Sequence, residues 1–162
     1  MYKFVLYLEE LGLRYKLSDF AEMKYGKDHK KLDHGDIPVY GTGGIMRLAD
    51  RYLYNGDSVL IPRKGSLNNI QFVSGKFWTV DTTFWTIVDE SIVRAKYFYY
   101  LMKQIDFTTL NVGSAVPSMT TAILNGLEVE VPNLETQDRI LHTLFPIEQK
   151  VLTLSRINDN FS

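Results

Sequence analysis

The stretch LIPRKGSLNN, residues 60–69, sets the organisation of the chain. An apolar run, Ser58–Ile61, ends at Pro62, and a second apolar run, Ile70–Val73, ends before Gly75. Apolar runs of this length between turn residues are typical of buried strands. Proline and glycine in the intervening segment predict a tight, exposed turn between the two strands.

The exposed turn carries side chains that suit contact with nucleic acid. Arg63 and Lys64 can bind phosphates, and arginine can also donate two hydrogen bonds to a guanine edge. Short polar groups follow at Ser66, Asn68 and Asn69, and asparagine can pair with adenine through its donor and its acceptor. The alternative is a plain surface turn whose asparagines satisfy their own backbone.

Three further strands are predicted on either side of this turn. They cover Ile37–Tyr40, Thr79–Val88 and Leu127–Val131, where β-branched, aromatic or alternating apolar residues prevail. Thr42 and Gly43 lie in the glycine-rich segment after the first of these strands. Glycines there would let the backbone approach a ligand closely, although a simple hinge would use the same residues.

Helices are predicted over Val5–Leu13 and Val93–Ile105 from their near-helical apolar spacing. Ser18 or Asp19 is expected to cap a one-turn helix that stops near Gly26. Strands and helices together predict a mixed α/β (α+β) fold.

The end of the chain predicts a helical arm. A helix is expected from about Leu134 to Phe145, followed by a kink or by a second helix with Pro146 at its first position. The alternative is an amphipathic helix that packs only on its own domain. We therefore divide the chain into a domain, residues 1–132, and an arm, residues 133–162. The apolar residues of the arm follow a heptad spacing typical of helix pairing: Ile140, Leu144, Ile147, Val151 and Leu154.

Charge is distributed unevenly, although the formal net charge is only −1. Lys27, Lys30 and Lys31 form one basic segment, and no acidic residue occurs between Ser58 and Val80. Such segments suit contacts with phosphates, whereas scattered surface charge is the alternative. Acidic residues are frequent after residue 127, so the sequence favours a basic side for DNA and an acidic side for protein partners.

Several function classes are excluded by composition and motifs. The chain has no cysteine, which excludes a disulfide framework, a thiolate metal site and a cysteine nucleophile, and a reducing compartment is expected. The three histidines lack the spacing of a metal site, and no phosphate-binding G-x-x-x-x-G-K-[ST] loop occurs. No catalytic residue and no metal are therefore predicted. The apolar stretches are too short for a membrane span.

Six segments in order resemble one half of a type I restriction-modification specificity subunit. The segment LIPRKGSLNN resembles that family most specifically, and Ser114 lies in the fifth segment, a glycine loop. The matching segments are Lys16–Lys27 with Lys16, Leu17, Asp19, Gly26 and Lys27, then Ile37–Gly44, Leu60–Asn69, Gly75–Trp78 with Asp81, Gly113–Pro117 and Val131–Ile140.

This resemblance implies a target-recognition domain with a twisted sheet and loops that face double-stranded DNA. It implies partners as well, an adenine methyltransferase (modification) subunit and a restriction subunit. S-adenosylmethionine and ATP are expected only on those subunits, so this chain itself is expected to be a cytoplasmic, non-catalytic protein without a cofactor. Because the family's full subunit carries two modules, a homodimer of this chain would read a two-fold symmetric target.

Two alternatives remain beside this interpretation. The chain could be an assembly or interaction module, for instance a silent specificity cassette, without DNA readout of its own. It could also be a small enzyme on an α/β scaffold.

Overall fold

A computed structural model describes residues 12–110 and 118–159. The first part of the chain contains β1 (Gly12–Lys16), a 3-10 helix (Leu17–Asp19), β2 (Ala21–Tyr25), β3 (Ile37–Gly41), β4 (Gly44–Ala49) and β5 (Tyr54–Asn55). The middle contains β6 (Ser58–Pro62), β7 (Gln71–Val73), β8 (Lys76–Thr79), β9 (Thr83–Val88) and helix α1 (Ala95–Met102). Helix α2 (Thr121–Gly126), β10 (Glu128–Pro132) and helix α3 (Leu134–Asp159) follow.

The strands form two four-stranded sheets and one two-stranded ribbon. The first sheet has the order β2-β9-β6-β7, and all of its pairs are antiparallel. The second sheet has the order β4-β3-β8-β5, in which β3 and β8 run parallel. Strands β1 and β10 pair as the ribbon.

Strand β6 is buried along its whole length because both faces of the first sheet are covered. Val59 and Ile61 point into the core that this sheet shares with α1 and α2, whereas Leu60 packs on Phe77 and Trp85 between the two sheets. A strand covered on both faces needs consecutive apolar residues rather than alternation. This requirement explains why the apolar run Ser58–Ile61 is unbroken.

Most of the predicted strands are confirmed, with small shifts at their ends. Two neighbouring predictions need correction. The run Thr79–Val88 was expected to be one strand, but it is divided between β8 and β9 by residues 80–82, which carry the chain from the second sheet to the first. The helix predicted over Val93–Ile105 is present and shorter, as α1.

The two helices predicted near the start of the chain are wrong where they can be examined. Of the helix expected over Val5–Leu13, only residues 12 and 13 are described, and both lie in β1. The carboxylate of Asp19 accepts a hydrogen bond from the amide of Lys16, 2.8 Å away, so it closes the preceding 3-10 turn instead of capping a following helix. The next residues, Ala21–Tyr25, pair with β9 as a strand.

Helix α3 continues through Pro146, so the alternative of a second helix that begins at residue 146 is wrong, whereas a kink at the proline stays a prediction. Proline removes one helical hydrogen bond, yet contacts on both sides of it hold the helix on α1. Before the proline, the guanidinium of Arg94 donates two hydrogen bonds to Asp138, at 2.9 and 3.0 Å. After it, the ammonium of Lys96 lies 3.0 Å from a carboxylate oxygen of Glu148.

Gln137 anchors the first turn of α3. Its side chain is fully buried, accepts from the amide of Arg94 at 2.8 Å, and donates to the carbonyls of Ile92 and Pro132 at 3.0 and 2.8 Å. Ile92 and Arg94 follow the C-terminal end of β9 in the chain, and Pro132 ends β10. The base of α3 is therefore fixed near that end of the first sheet.

We expect Gly26→Ala to destabilise the fold. A Cβ at residue 26 would lie 2.0 Å from the carbonyl oxygen of Val80 and 2.6 Å from that of Thr79. Both are backbone atoms, so the chain must shift, at a cost of about 1–3 kcal/mol or more. Thermal denaturation followed by circular dichroism measures the loss.

Gly43→Ala is the matched control, because a Cβ at residue 43 meets nothing within 4 Å. Its melting temperature should stay close to that of the unchanged chain. Equal melting temperatures for Gly26→Ala and the unchanged chain would contradict the expected crowding.

Candidate nucleic-acid interface

The loops that carry the predicted site lie at one end of both sheets. Strand pairing requires this: β2 and β6 end where their antiparallel neighbour β9 begins, and parallel β3 and β8 end together. We call this the loop end and define it by residues 26–27, 42–43, 63–70 and 80–82. Segments far apart in sequence thus share one surface.

Residues 80–82 connect the two sheets and hold the other loops by backbone hydrogen bonds. The amide of Lys27 donates to the carbonyl of Thr79 at 2.9 Å, and the amide of Arg63 donates to the carbonyl of Thr82 at 2.8 Å. The amide of Val80 donates to the carbonyl of Tyr40 at 3.0 Å. Lys27 and Arg63 are therefore placed on either side of the same short connection.

Arg63 and Lys64, next to this connection, have different surroundings. The guanidinium of Arg63 lies 5.5 Å from the centre of the Tyr25 ring, and one of its nitrogens donates to the carbonyl of Asp81 at 3.2 Å. Lys64 is exposed and forms an isolated β-bridge with Ser118. The predicted contact Ser114 lies outside the described residues.

The two asparagines of the loop make hydrogen bonds within the protein. Asn68 donates to the carboxylate of Asp106 at 2.9 Å and accepts from the amide of Phe107 at 2.8 Å. The pKa of Asp106 lies below its ordinary value because the Thr108 hydroxyl and then the Asn68 amide donate to its carboxylate. The asparagines thus bond to distant segments rather than to the backbone of their own turn, which was the alternative considered, and base contacts by them stay a prediction.

The turn that contains Thr42 and Gly43 is tied to the 63–70 loop. The side-chain amide of Asn69 donates to the carbonyl of Thr42, and that of Gln71 donates to the carbonyl of Gly41 at 2.9 Å. The structure thus brings together two predicted parts of the site, of which Thr42 and Asn69 are 27 residues apart in the sequence. Ser66 is exposed on the same loop.

Lys30 and Lys31 are exposed on the segment that leaves the loop end after Lys27. This segment crosses the outer face of the second sheet, where Leu32 is buried against Val39 and Ala49. Both lysines therefore flank the loop end, and no described contact places them at its centre.

The cations of the loop end are not neutralised by ion pairs within the described residues. None of the salt bridges among residues 12–110 and 118–159 includes Lys27, Arg63 or Lys64. Lys76 takes part in none of these salt bridges either, but it begins β8 at the opposite end of the second sheet, with its ammonium 5.3 Å from the centre of the Tyr52 ring. The loop end therefore carries three cations without an ion-pair partner among the described residues.

A sequence model of the type I restriction modification DNA specificity domain matches residues 14–160. The chain belongs to this family. It is 26% identical over 114 residues to a putative type I restriction enzyme specificity subunit of Haemophilus influenzae, a match that covers 68% of this chain and 29% of that protein. It is 22% identical over 145 residues to a putative type I specificity subunit of Mycoplasma pneumoniae, covering 83% of this chain and 47% of that protein.

The fold of this specificity domain is similar to the crystal structure of a type I restriction-modification system S subunit from M. genitalium. The TM-score is 0.77 at 21% identity, over 93% of this chain and 42% of that one. The chain therefore spans less than half the length of each of these three proteins. The resemblance inferred from the sequence motifs is confirmed, and so is the mixed α/β fold with a C-terminal helix.

Helix α3 of the specificity domain divides the predicted heptad seam into two parts. Ile140 and Leu144 are partly buried, and Ile140 packs against the core under α1. Beyond Pro146 the seam faces solvent, with Ile147 55%, Val151 56% and Leu154 61% exposed. The first half thus packs on its own domain, whereas the second half presents an apolar stripe.

Tyr25 is the part of the site that sequence reasoning missed. It ends β2, is 53% exposed, and contacts the ring of Phe84 with the ring centres 5.0 Å apart. Its neighbour Arg63 is distant in the sequence, so only the pairing of β2 and β6 with β9 brings the two together. An aromatic residue directly before Gly26 and Lys27 was the available signal.

Other site types find no support in the part of the chain that the structure describes. Over residues 12–110 and 118–159, no group of three or more histidine, aspartate or glutamate side chains is placed to hold a metal ion. Among the same residues, no helix combines the length and the apolar character needed to cross a membrane.

We expect Asn68→Ala to lower the free energy of unfolding by about 1–3 kcal/mol. The change leaves the amide of Phe107, a buried residue, without the acceptor that Asn68 provides. Urea denaturation followed by tryptophan fluorescence measures the loss.

Ser66→Ala is the control on the same loop, because Ser66 is exposed and the carbonyl it offers to Asn69 is part of the backbone. It should change stability by less than about 0.5 kcal/mol. An Asn68→Ala variant as stable as Ser66→Ala would show that the Asn68 hydrogen bonds do not hold the loop.

Proposed function

We propose that this chain reads DNA sequence as the specificity component of a type I restriction-modification system. Membership of the specificity-domain family supports the proposal. The observation that carries it is the placement of Lys27, Arg63 and Lys64 around the 80–82 connection, without ion-pair partners among the described residues.

The loop end would meet a DNA duplex with distinct groups in distinct roles. Lys27 and Lys64 would bind phosphates, flanked by Lys30 and Lys31, since lysine is a mobile point charge. The 63–70 loop would enter a groove and contact base edges. The other predicted contacts on these loops are Thr42, Gly43, Ser66, Asn68 and Asn69, and Ser114 is proposed as a further contact from the sequence alone.

The chemistry would reside on partner proteins. In this proposal the chain is cytoplasmic and non-catalytic, and it directs an adenine methyltransferase subunit and a restriction subunit to their target. S-adenosylmethionine and ATP would bind those subunits. The proposal rests on the family and on the interface described above.

Helix α3 would pair with the same helix of a second copy of this chain. The exposed Ile147, Val151 and Leu154 continue a heptad spacing beyond the part of the helix that packs on its own domain. A dimer of this kind would present two loop ends and read a two-fold symmetric target.

Replacing both Lys27 and Lys64 by alanine should weaken binding to duplexes of any sequence. Each lost phosphate contact reduces the slope of log K against log salt by about 1, so the slope should fall by about 2 in magnitude. Fluorescence anisotropy with a labelled duplex of mixed sequence, over a series of salt concentrations, measures the slope.

Lys76→Ala is the matched control, because it removes one lysine from the opposite end of the second sheet. Its salt slope should equal that of the unchanged chain. If the double variant also keeps the original slope, the loop end is not the DNA-binding surface. Dimer formation without any DNA affinity would favour the assembly-module alternative.

Ile147→Glu should convert a dimer of this chain into a monomer, because it places a charge in the apolar stripe of α3. Gln149→Glu adds the same charge at an exposed position about 200° around the helix from residue 147, and it should leave the dimer intact. Light scattering coupled to size-exclusion chromatography measures both masses. An unchanged chain that is monomeric at tens of micromolar would refute the proposed pairing.

A further inference from the structure

The backbone of Arg63 is fixed on both sides. Its amide donates to the carbonyl of Thr82 at 2.8 Å, and its carbonyl accepts from the amide of Met119 at 2.8 Å. Arg63 directly follows β6, whose five residues are all buried. The Cα of Arg63 is therefore held by the rigid part of the fold rather than by the mobile tip of a loop.

The side chain of Arg63 is held as well. Its guanidinium lies over the Tyr25 ring, 5.5 Å from the ring centre, and one terminal nitrogen donates to the carbonyl of Asp81 at 3.2 Å. Tyr25 is itself supported by the ring of Phe84, which is fully buried. These two contacts restrain the guanidinium beside the Tyr25 ring.

Most of the donors of Arg63 remain available in this arrangement. A guanidinium carries five N–H groups, and the bond to Asp81 uses a single terminal nitrogen. The side chain is partly exposed at the loop end. An arginine held in this way can offer two parallel donors to a ligand without losing further side-chain freedom.

Lys64 provides the contrast. It is exposed, and its ammonium takes part in none of the ion pairs or cation–aromatic contacts among the described residues. A phosphate accepts from a mobile ammonium at many angles, so no fixed plane is needed for backbone contact. The O6 and N7 atoms of guanine, in contrast, match the two parallel donors of a guanidinium, so a guanidinium that is held in place favours that base edge.

We infer that Arg63 reads a guanine in the major groove and that Tyr25 is the positioning residue that orients it. This inference rests on the proposed function, because it assigns the base that the loop end contacts at one position. Lys27 and Lys64 then supply affinity without base preference, and the pair Arg63 and Tyr25 supplies base preference.

The test begins with a duplex that the unchanged chain selects from a pool with a randomised segment. Each guanine of that duplex is replaced in turn by 7-deazaguanine, which lacks the N7 acceptor and keeps normal base pairing. The unchanged chain should lose about tenfold in affinity at one guanine, which corresponds to one charge-assisted hydrogen bond. The Arg63→Ala variant lacks the donors of the guanidinium and should be insensitive to the replacement at that position.

Substitutions at Tyr25 test the positioning role. Tyr25→Phe keeps the ring under the guanidinium and should retain the sensitivity to 7-deazaguanine. Tyr25→Leu removes the ring, so it should reduce that sensitivity severalfold while the salt slope of binding to mixed-sequence DNA stays unchanged. Equal melting temperatures for the two variants would show that the difference does not come from unfolding.

The outcomes separate this inference from the function on which it rests. A chain that selects no sequence would overturn both. A chain that selects a sequence but tolerates 7-deazaguanine at every position would overturn only the guanine assignment. The same holds if Arg63→Ala lowers the salt slope and leaves the selected sequence unchanged, because Arg63 would then be a phosphate contact.

Discussion

Residues 80–82 link β8 of one sheet directly to β9 of the other, and the loop end is organised around them. Their backbone and that of the flanking threonines accept hydrogen bonds from Gly26, Lys27 and Arg63. Because the link is so short, the end of β8 stays close to the start of β9, and loops from both sheets share one surface. The charges of the interface are therefore placed by backbone hydrogen bonds of the core rather than by the loops themselves.

The fold was predictable where the sequence pattern reflects burial on a sheet. Strands β3 and β6 were predicted close to their true ends because apolar runs there stop at turn residues. The segment from Ser18 to Gly26 was misjudged, since its capping pattern is local and its pairing with β9 is not. Helix α3 was cut short in the prediction, because proline alone predicts an interruption and the contacts of Asp138 and Glu148 with α1 depend on tertiary structure.

The candidate site was predictable in its cations and less so in its polar residues. Arg63, Lys64 and Lys27 could be identified from a turn motif and a basic segment. Asn68 has a side chain of the kind that contacts bases, yet its amide group binds Asp106 and Phe107. The sequence does not show which partner an amide side chain binds. Tyr25 was missed for a related reason: aromatic residues in strands usually belong to the core, and only strand order brings this one to the surface beside Arg63.

Strand β9 keeps two parts of the molecule apart. It begins at the loop end with Thr83 and finishes at Val88, shortly before Arg94 and its bonds with Asp138. A strand of six residues is about 20 Å long, so side chains that change at its start are distant from the contacts that hold the C-terminal helix near its end. The protein can therefore accept substitutions in its loops while the contacts between the domain and this helix remain unchanged.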